Sequence, residues 1–158
     1  VKAPIFVARQ LVKHKFMPWN EVSRRYVDDE PEFYIPEVWR KRADNVKQGS
    51  SEEAAYMMTD LHGEEWLVGE VMQYLSEDCL RLYQNSIKAE VCPEMARMIL
   101  PQNMMTEWMW SGTLGAYADM LKLRLDPHTQ YESRVVAQKI LEIIQPLYPV
   151  LVAALLET

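Results

Sequence analysis

The sequence predicts an α+β fold, a mostly helical single domain over residues 1–158 with a small antiparallel or mixed sheet. Three observations lead there. Leu61, Val68, Val71, Leu75 and Leu82 trace a stripe of three-, four- and seven-residue steps with a late Ile87 after it, the period of a long helix. Trp108 and Trp110 alternate with Met109 and Ser111, the period of a strand. Prolines and capping pairs cut the rest of the chain into short units.

Val1 to Val12 starts extended and turns helical, with Pro4 suited to a first helical turn. Gln10, Lys13 and His14 then fall at i, i+3 and i+4 on one helical face. Pro18 and Asn20 break that helix, and Glu21, Ser23, Arg24 and Arg25 follow in a loop. Residues 27–50 are polar and proline-punctuated, including Asp28-Asp29-Glu30-Pro31, and read as loop with a short helix or strand over Pro36 to Arg42. Ser50-x-x-Glu53 has the pattern of a capping box opening the long helix. Cys92-Pro93 marks a further helix start, ended by Leu100-Pro101. Residues 103–111 fit a strand or a buried helix, and the tryptophan alternation favours the strand. Thr113 to Arg124 reads as a helix with Leu114, Tyr117, Leu121 and Leu123 facing the core. Asp126-Pro127 breaks it, Thr129-x-x-Glu132 offers a second capping box before Val135 to Ile144, and Tyr148 to Leu156 closes as a short apolar helix. Neither a repeat nor an internal linker divides the chain.

With 158 residues and 49% hydrophobic content, one core can be filled. The ten Met and five Trp read as core at this spacing. No apolar run reaches the length of a membrane span, and Cys79 and Cys92 offer neither a disulfide framework nor metal spacing. A reducing cytoplasmic setting is expected, or a host cytoplasm for a viral chain. The chain opens on Val1 and enters its richest motif at once, which reads as a front truncation. Charge is uneven within the net −6. Residues 1–25 hold six Lys or Arg against Glu21 alone, and the remainder holds eleven bases against twenty-two acids. An acidic chain with one basic island disfavours nucleic acid, which needs a broad basic footprint, yet suits a small anion.

That island has a mixed chemistry. Cations are interleaved with Gln10, His14, Asn20 and Ser23, as a cradle for a phosphorylated ligand requires. Ser23 has no evident base beside it, so it reads as a positioning hydroxyl, and Cys92 lacks a His relay and reads as structural. His14, His62 and His128 show no ligand spacing, so no metal is expected.

Lys13-His14-Lys15, seven residues, then Ser23 resembles the Arg-His-Arg-(seven residues)-Ser signature of the flavin-dependent thymidylate synthases. Other stretches are similar in the same order: Asn20-Glu21-x-Ser23-x-Arg25-Tyr26, Phe33-Tyr34-Ile35-Pro36 with Trp39-Arg40, and Lys47-Gln48-Gly49-Ser50. Pro93-Glu94-x-Ala96-Arg97-x-x-Leu100-Pro101 and Leu123-Arg124 ahead of Gln130-x-Glu132-x-Arg134 extend the likeness to about Arg134. Lysine for arginine at 13 and 15 keeps the charge and loses the planar fork.

The resemblance implies reductive methylation of dUMP to dTMP, with methylenetetrahydrofolate as carbon donor, FAD as hydride carrier and NADPH as reductant. It implies a homotetramer with sites at subunit junctions. Gln10, Lys13, Glu21, Ser23, Arg24, Arg25, Arg97 and Arg124 are expected at the nucleotide. Arg25 and Arg97 take the phosphate with help from Gln10 and Ser23, position 24 contributes through its backbone, Glu21 takes the ribose hydroxyl, and Arg124 acts on the uracil as the catalytic cation. Lys13, His14, Lys15, Phe16, Thr113, Asp119, Leu123 and His128 are expected at the flavin. Thr113, Gly115 and Asp119 stand where the family more often has Asn, Arg and Asn, and Arg24 where it usually has Gly. A hydroxymethylating relative, a non-catalytic nucleotide- or flavin-binding module and a purely structural helical protein are the competing readings.

Overall fold

The computed structural model describes residues 1–27, 29–44 and 49–157. Asp28 of the acidic run and Lys47-Gln48 of the motif before Ser50 lie outside them. Strand β1 (Lys2–Pro4) runs straight into helix α1 (Ile5–Leu11), whose N-cap is Pro4. Strands β2 (Trp19–Glu21), β3 (Arg40–Arg42), β4 (Ser50–Ala54), β5 (Met57–Thr59) and β6 (Glu65–Leu67) follow. Helix α2 (Val68–Lys88) and the short α3 (Pro93–Ala96), which continues as a 3-10 turn over Arg97–Ile99, lead to strand β7 (Met105–Trp110). Helices α4 (Leu114–Arg124), α5 (Tyr131–Leu147) and α6 (Pro149–Glu157) complete the chain. This is the expected α+β architecture.

Among the described residues, all strand pairs are antiparallel. The central sheet has the order β1-β7-β2, with Ala3 opposite Thr106 and Trp19 opposite Trp110. Along β7, Thr106, Trp108 and Trp110 are buried while Glu107 and Met109 are exposed, the two-residue period expected for a half-covered strand. Trp108 stacks on Trp19 with ring centroids 4.3 Å apart, and Trp110 meets Tyr117 edge-on at 6.0 Å. Val7, Ala8 and Leu11 of α1, Met120 and Leu121 of α4, and Ala137 of α5 close the core around these tryptophans. Helix α4 is buried at Ala116, Ala118, Met120 and Leu121 because α5 and α6 pack on it as well as the core.

Several local expectations need correction. Helix α1 ends at Leu11, so Lys13 and His14 sit in the turn after it, and the helix is over before Pro18 is reached. Residues 19–21 are strand rather than loop, because β7 offers them a pairing edge. Ser50-x-x-Glu53 is strand β4 paired with β3, and Leu61 is fully exposed at the tip of the β5–β6 hairpin. The long helix opens only at Val68, and it buries Ser76 and Tyr83 while Leu75 and Leu82 stay exposed. Leu123 is exposed rather than core. The second capping box is not formed: Gln130 is the N-cap of α5, and Thr129 Oγ1 donates instead to the carbonyl of Leu123 at 2.9 Å. No helix of the described residues is long and apolar enough to cross a membrane, and no cluster of three metal-binding side chains occurs among them.

Candidate functional site: two clefts that share Arg9

The residues expected at the nucleotide divide between two clefts. The first, about 840 Å³, is lined by Glu21, Ser23, Arg24, Arg25 and Arg97, so residues far apart in the chain meet there. The end of β2 delivers Glu21, and a turn closed by Tyr26 N–H donating to the Ser23 carbonyl at 3.0 Å delivers the next three. Both oxygens of Glu21 are held, Oε1 by Thr106 Oγ1 at 2.7 Å and Oε2 by the Trp19 indole N–H at 3.1 Å. Each oxygen keeps a lone pair for a further donor. Arg25 Nε donates to Ser23 Oγ at 3.1 Å, and its guanidinium lies 4.9 Å from the Tyr26 ring centre. Arg24 is tied to Asp29 through Oδ1 at 3.0 Å, which braces the loop from 24 to 29. Arg97 is exposed, its Nε donating to the Glu94 carbonyl at 3.3 Å. Lys2 and Arg9 also line this cleft, and Lys2 is neutralised by Glu32.

Gln10, Lys13 and Arg124 are not in that cleft. They line a second one of about 950 Å³, and Arg9 borders both. Gln10 therefore stands with Arg124 and apart from the Arg25 and Arg97 with which it was expected to share a phosphate. Arg124 Nε donates to His14 Nε2 at 2.9 Å, and Nη2 donates to the Gln10 carbonyl at 2.7 Å. Burial, and then the neighbouring guanidinium, lowers the His14 pKa, and burial also lowers that of Arg124. Sequence reasoning missed the residues around Gln10, namely Arg40, Gln130, Glu132 and Ser133. The signal was available, since Trp39-Arg40 and Gln130-x-Glu132 both fall in the family-like stretches.

The residues expected at a flavin gather along α4. Thr113 caps the helix, its Oγ1 accepting from Ala116 N–H at 3.1 Å. Gly115, Asp119 and Leu123 follow at four-residue steps on one side, with Asp119 and Leu123 exposed. His14 meets the C-terminal end of α4 through Arg124. Phe16 and Met17 meet its N-terminal end, for a Cβ at Gly112 would stand 3.5 Å from the Phe16 carbonyl and 3.3 Å from Met17 Cγ. Lys13 to Phe16 is therefore anchored at both ends of α4. Phe16 itself has φ 59° and is 84% exposed, a costly pose for an aromatic residue with no partner in this chain's core. His128 lies apart in an Asx turn, its N–H and Nδ1 both meeting Asp126 Oδ1, at 2.7 and 3.0 Å. Those contacts lower the Asp126 pKa, the backbone N–H of His128 most. Gly49, at φ +96°, brings the loop before β4 against the His128 backbone; a Cβ there would meet the His128 carbonyl at 3.4 Å.

The chain compares with known proteins as follows. A family model described as thymidylate synthase complementing protein matches residues 1–150. A flavin-dependent thymidylate synthase of Thermus thermophilus is 40% identical over 98% of this chain and 54% of its own length. One from Ehrlichia ruminantium is 37% identical over 99% of this chain and 52% of its own. The chain thus spans about half the length of these relatives. Among solved structures, a UMP/dUMP methylase from Streptomyces cacaoi bound with 5-Br UMP superposes with a TM-score of 0.77 at 25% identity, over 92% of this chain and 67% of that one. With the ordered motifs, the shared fold and a family match over nearly the whole chain, this chain belongs to the thymidylate synthase complementing protein family, that of the flavin-dependent thymidylate synthases.

Proposed function

We propose that this chain carries the nucleotide and flavin sites of a flavin-dependent thymidylate synthase, methylating dUMP to dTMP with methylenetetrahydrofolate as carbon donor and NADPH as reductant. The observation that carries this reading is the first cleft, where Ser23, Arg25 and Arg97 converge beside a Glu21 carboxylate pinned at both oxygens. Two guanidiniums and a hydroxyl suit a phosphate, and an anchored carboxylate suits a sugar hydroxyl. Arg24 contributes its backbone, since its side chain is committed to Asp29.

In the second cleft, Arg124 is the cation for the uracil ring. It stays charged throughout the reaction and is aimed by His14 and the Gln10 carbonyl, so it can meet electron density on the ring without a proton transfer. Gln10 and Lys13 stand beside it. One nucleotide needs both groups of residues. We infer that a homotetramer joins the first cleft of one subunit to the second cleft of another.

The donor set along α4 fits a flavin. Lys13 and Lys15 can neutralise a pyrophosphate, and exposed Phe16 and Leu123 offer apolar cover for a ring, with Thr113, Asp119 and His14 as polar contacts and His128 reserved for a part of the ligand that extends past the helix end. A flavin held by these residues would supply the hydride and one-carbon carrier chemistry that the methylation needs. Gly115, where the family more often has Arg, leaves that contact to the two lysines.

Purified protein should carry flavin absorbance and bind dUMP, and the nucleotide product should have the mass of dTMP. A colourless protein that takes up no added FAD overturns the reading. A product heavier by one oxygen makes it a hydroxymethylating enzyme.

A further inference from the structure

Beside the second cleft, four side chains form a directed hydrogen-bond chain whose direction is set by charge. Glu132, only 9% exposed, accepts from Arg40 Nη2 at Oε1 and from Gln130 Nε2 at Oε2, the latter at 3.0 Å. A carboxylate only accepts, so Gln130 must turn its NH₂ to Glu132 and its carbonyl to Gln10. Gln10 answers with its own NH₂, which donates to Gln130 Oε1. That leaves Gln10 Oε1 to accept from Ser133 Oγ at 3.1 Å, and Ser133 is completely buried. An isolated glutamine amide can turn over at little cost. Here the Arg40–Glu132 ion pair, with Arg40 also bonded to Ser50 Oγ at 3.0 Å, permits one of the two flips.

We propose that Glu132 is a positioning residue that locks the Gln10 amide and thereby selects uracil over cytosine. The inference rests on the reading above, in which Arg124 faces the base. After its two internal bonds Gln10 keeps one N–H and one carbonyl lone pair for the cleft. Arg124, beside it, can only donate. Uracil presents acceptor, donor, acceptor along O2, N3 and O4. Cytosine turns N3 into an acceptor and position 4 into a donor, so both contacts there invert. A free amide could turn to meet either base, whereas a locked one meets uracil and leaves polar groups unpaired against cytosine.

The test is titration of the flavin-loaded protein with dUMP and with dCMP, read by calorimetry. Wild type should prefer dUMP. Glu132→Gln, whose amide accepts Gln130 in either flip, should cut the dUMP:dCMP affinity ratio by about tenfold, one hydrogen bond's worth of discrimination. Because that change also strips Arg40 of its partner, Gln130→Met is the second variant: it leaves the ion pair and cuts the link to Gln10. It should lower the ratio to the same degree with an unchanged melting temperature, and a purely structural Glu132 would leave the ratio alone. A wild-type ratio in Gln130→Met overturns the proposal while dUMP binding itself stands. Failure of wild type to bind dUMP overturns the functional reading, and this inference with it.

Discussion

Arg124 and His14 are joined by a 2.9 Å hydrogen bond in which the guanidinium Nε–H donates to the imidazole Nε2, across 110 residues of chain. That nitrogen can accept only while unprotonated. The folded protein accordingly holds the His14 pKa below the ordinary histidine value, through burial first and the Arg124 charge second. In mild acid the unfolded chain takes up a proton that the folded one refuses, so protons favour unfolding. The contribution is present above the ordinary histidine pKa and is lost as pH falls through the lowered one. Melting temperature should therefore drop as the solution is acidified from neutral through the ordinary histidine pKa. His14→Gln, which keeps an acceptor for Arg124, should flatten that slope. An unchanged slope assigns the pH dependence to other groups.

The same bond aims Arg124, and Arg124→Lys separates aim from charge. A lysine cannot bond His14 and the Gln10 carbonyl together from two nitrogens of one plane. If the guanidinium meets charge that develops on the uracil, the barrier to methyl transfer should rise by about 2.7–4 kcal/mol, with a smaller loss of dUMP affinity. Reduction of the flavin by NADPH without nucleotide should survive. Single-turnover measurements of the two half-reactions make the comparison. Full methyl transfer, or a defect in binding alone, would move Arg124 from catalysis to substrate holding.

Arg25→Ala addresses the other cleft. Its guanidinium rests on Ser23 Oγ and the Tyr26 ring and is not paired with a carboxylate in the described contacts, so it is poised for an incoming anion. Removing it should weaken dUMP binding by about 1.5–3 kcal/mol, the range of a charge-assisted contact. Flavin occupancy, read by absorbance, should stay near wild type because Lys13 to Phe16 run along α4 instead. Loss of flavin with intact nucleotide affinity would reverse the assignment of this loop.

Legibility followed the range of the forces involved. Helix α4 and strand β7 were readable because their period, and the break at Asp126-Pro127, are local facts. Ser50 to Leu67 was not, because β4 exists by pairing with β3 and the β5–β6 hairpin by the Asp60 turn. There Asp60 Oδ1 accepts from His62 and Glu64 N–H at 2.8 and 3.0 Å. A capping-box spacing cannot report a distant partner strand. The stripe on α2 was a correct sign of helix and a poor guide to burial, since periodicity shows that a face is apolar and not what covers it. Leu75 and Leu82 are exposed in this chain. The site residues were readable as types in an order, but the division between two clefts depends on how α1 packs against β7 and α5, which no motif encodes.

The tryptophan cluster carries a stability prediction. Trp108 is 2% exposed, stacked on Trp19 and bordered by the core side of α1. Trp108→Ala should cost about 3–5 kcal/mol in denaturant unfolding, the range for emptying an aromatic core position. Trp19 also donates to Glu21, so the vacated stack should in addition loosen that carboxylate and weaken nucleotide binding. Trp108→Phe should restore most of the stability. A loss under 1 kcal/mol in the alanine variant would show that the stack is not central to the fold.

The division of residues between the clefts yields the sharpest test of assembly. Arg97 lines one cleft and Arg124 the other. If one nucleotide spans two subunits, Arg97→Ala and Arg124→Ala each disable every site in a pure assembly. Mixed subunits behave differently. A site composed of the first cleft of an Arg124→Ala subunit and the second cleft of an Arg97→Ala subunit holds both arginines intact. Random exchange of equal amounts should make about a quarter of the sites whole, by the statistics of two independent choices between two subunit types. Activity should therefore return on mixing two inactive proteins, and light scattering should give a tetramer throughout. Sites built within one subunit would show no recovery at any mixing ratio, since each subunit would still lack one arginine.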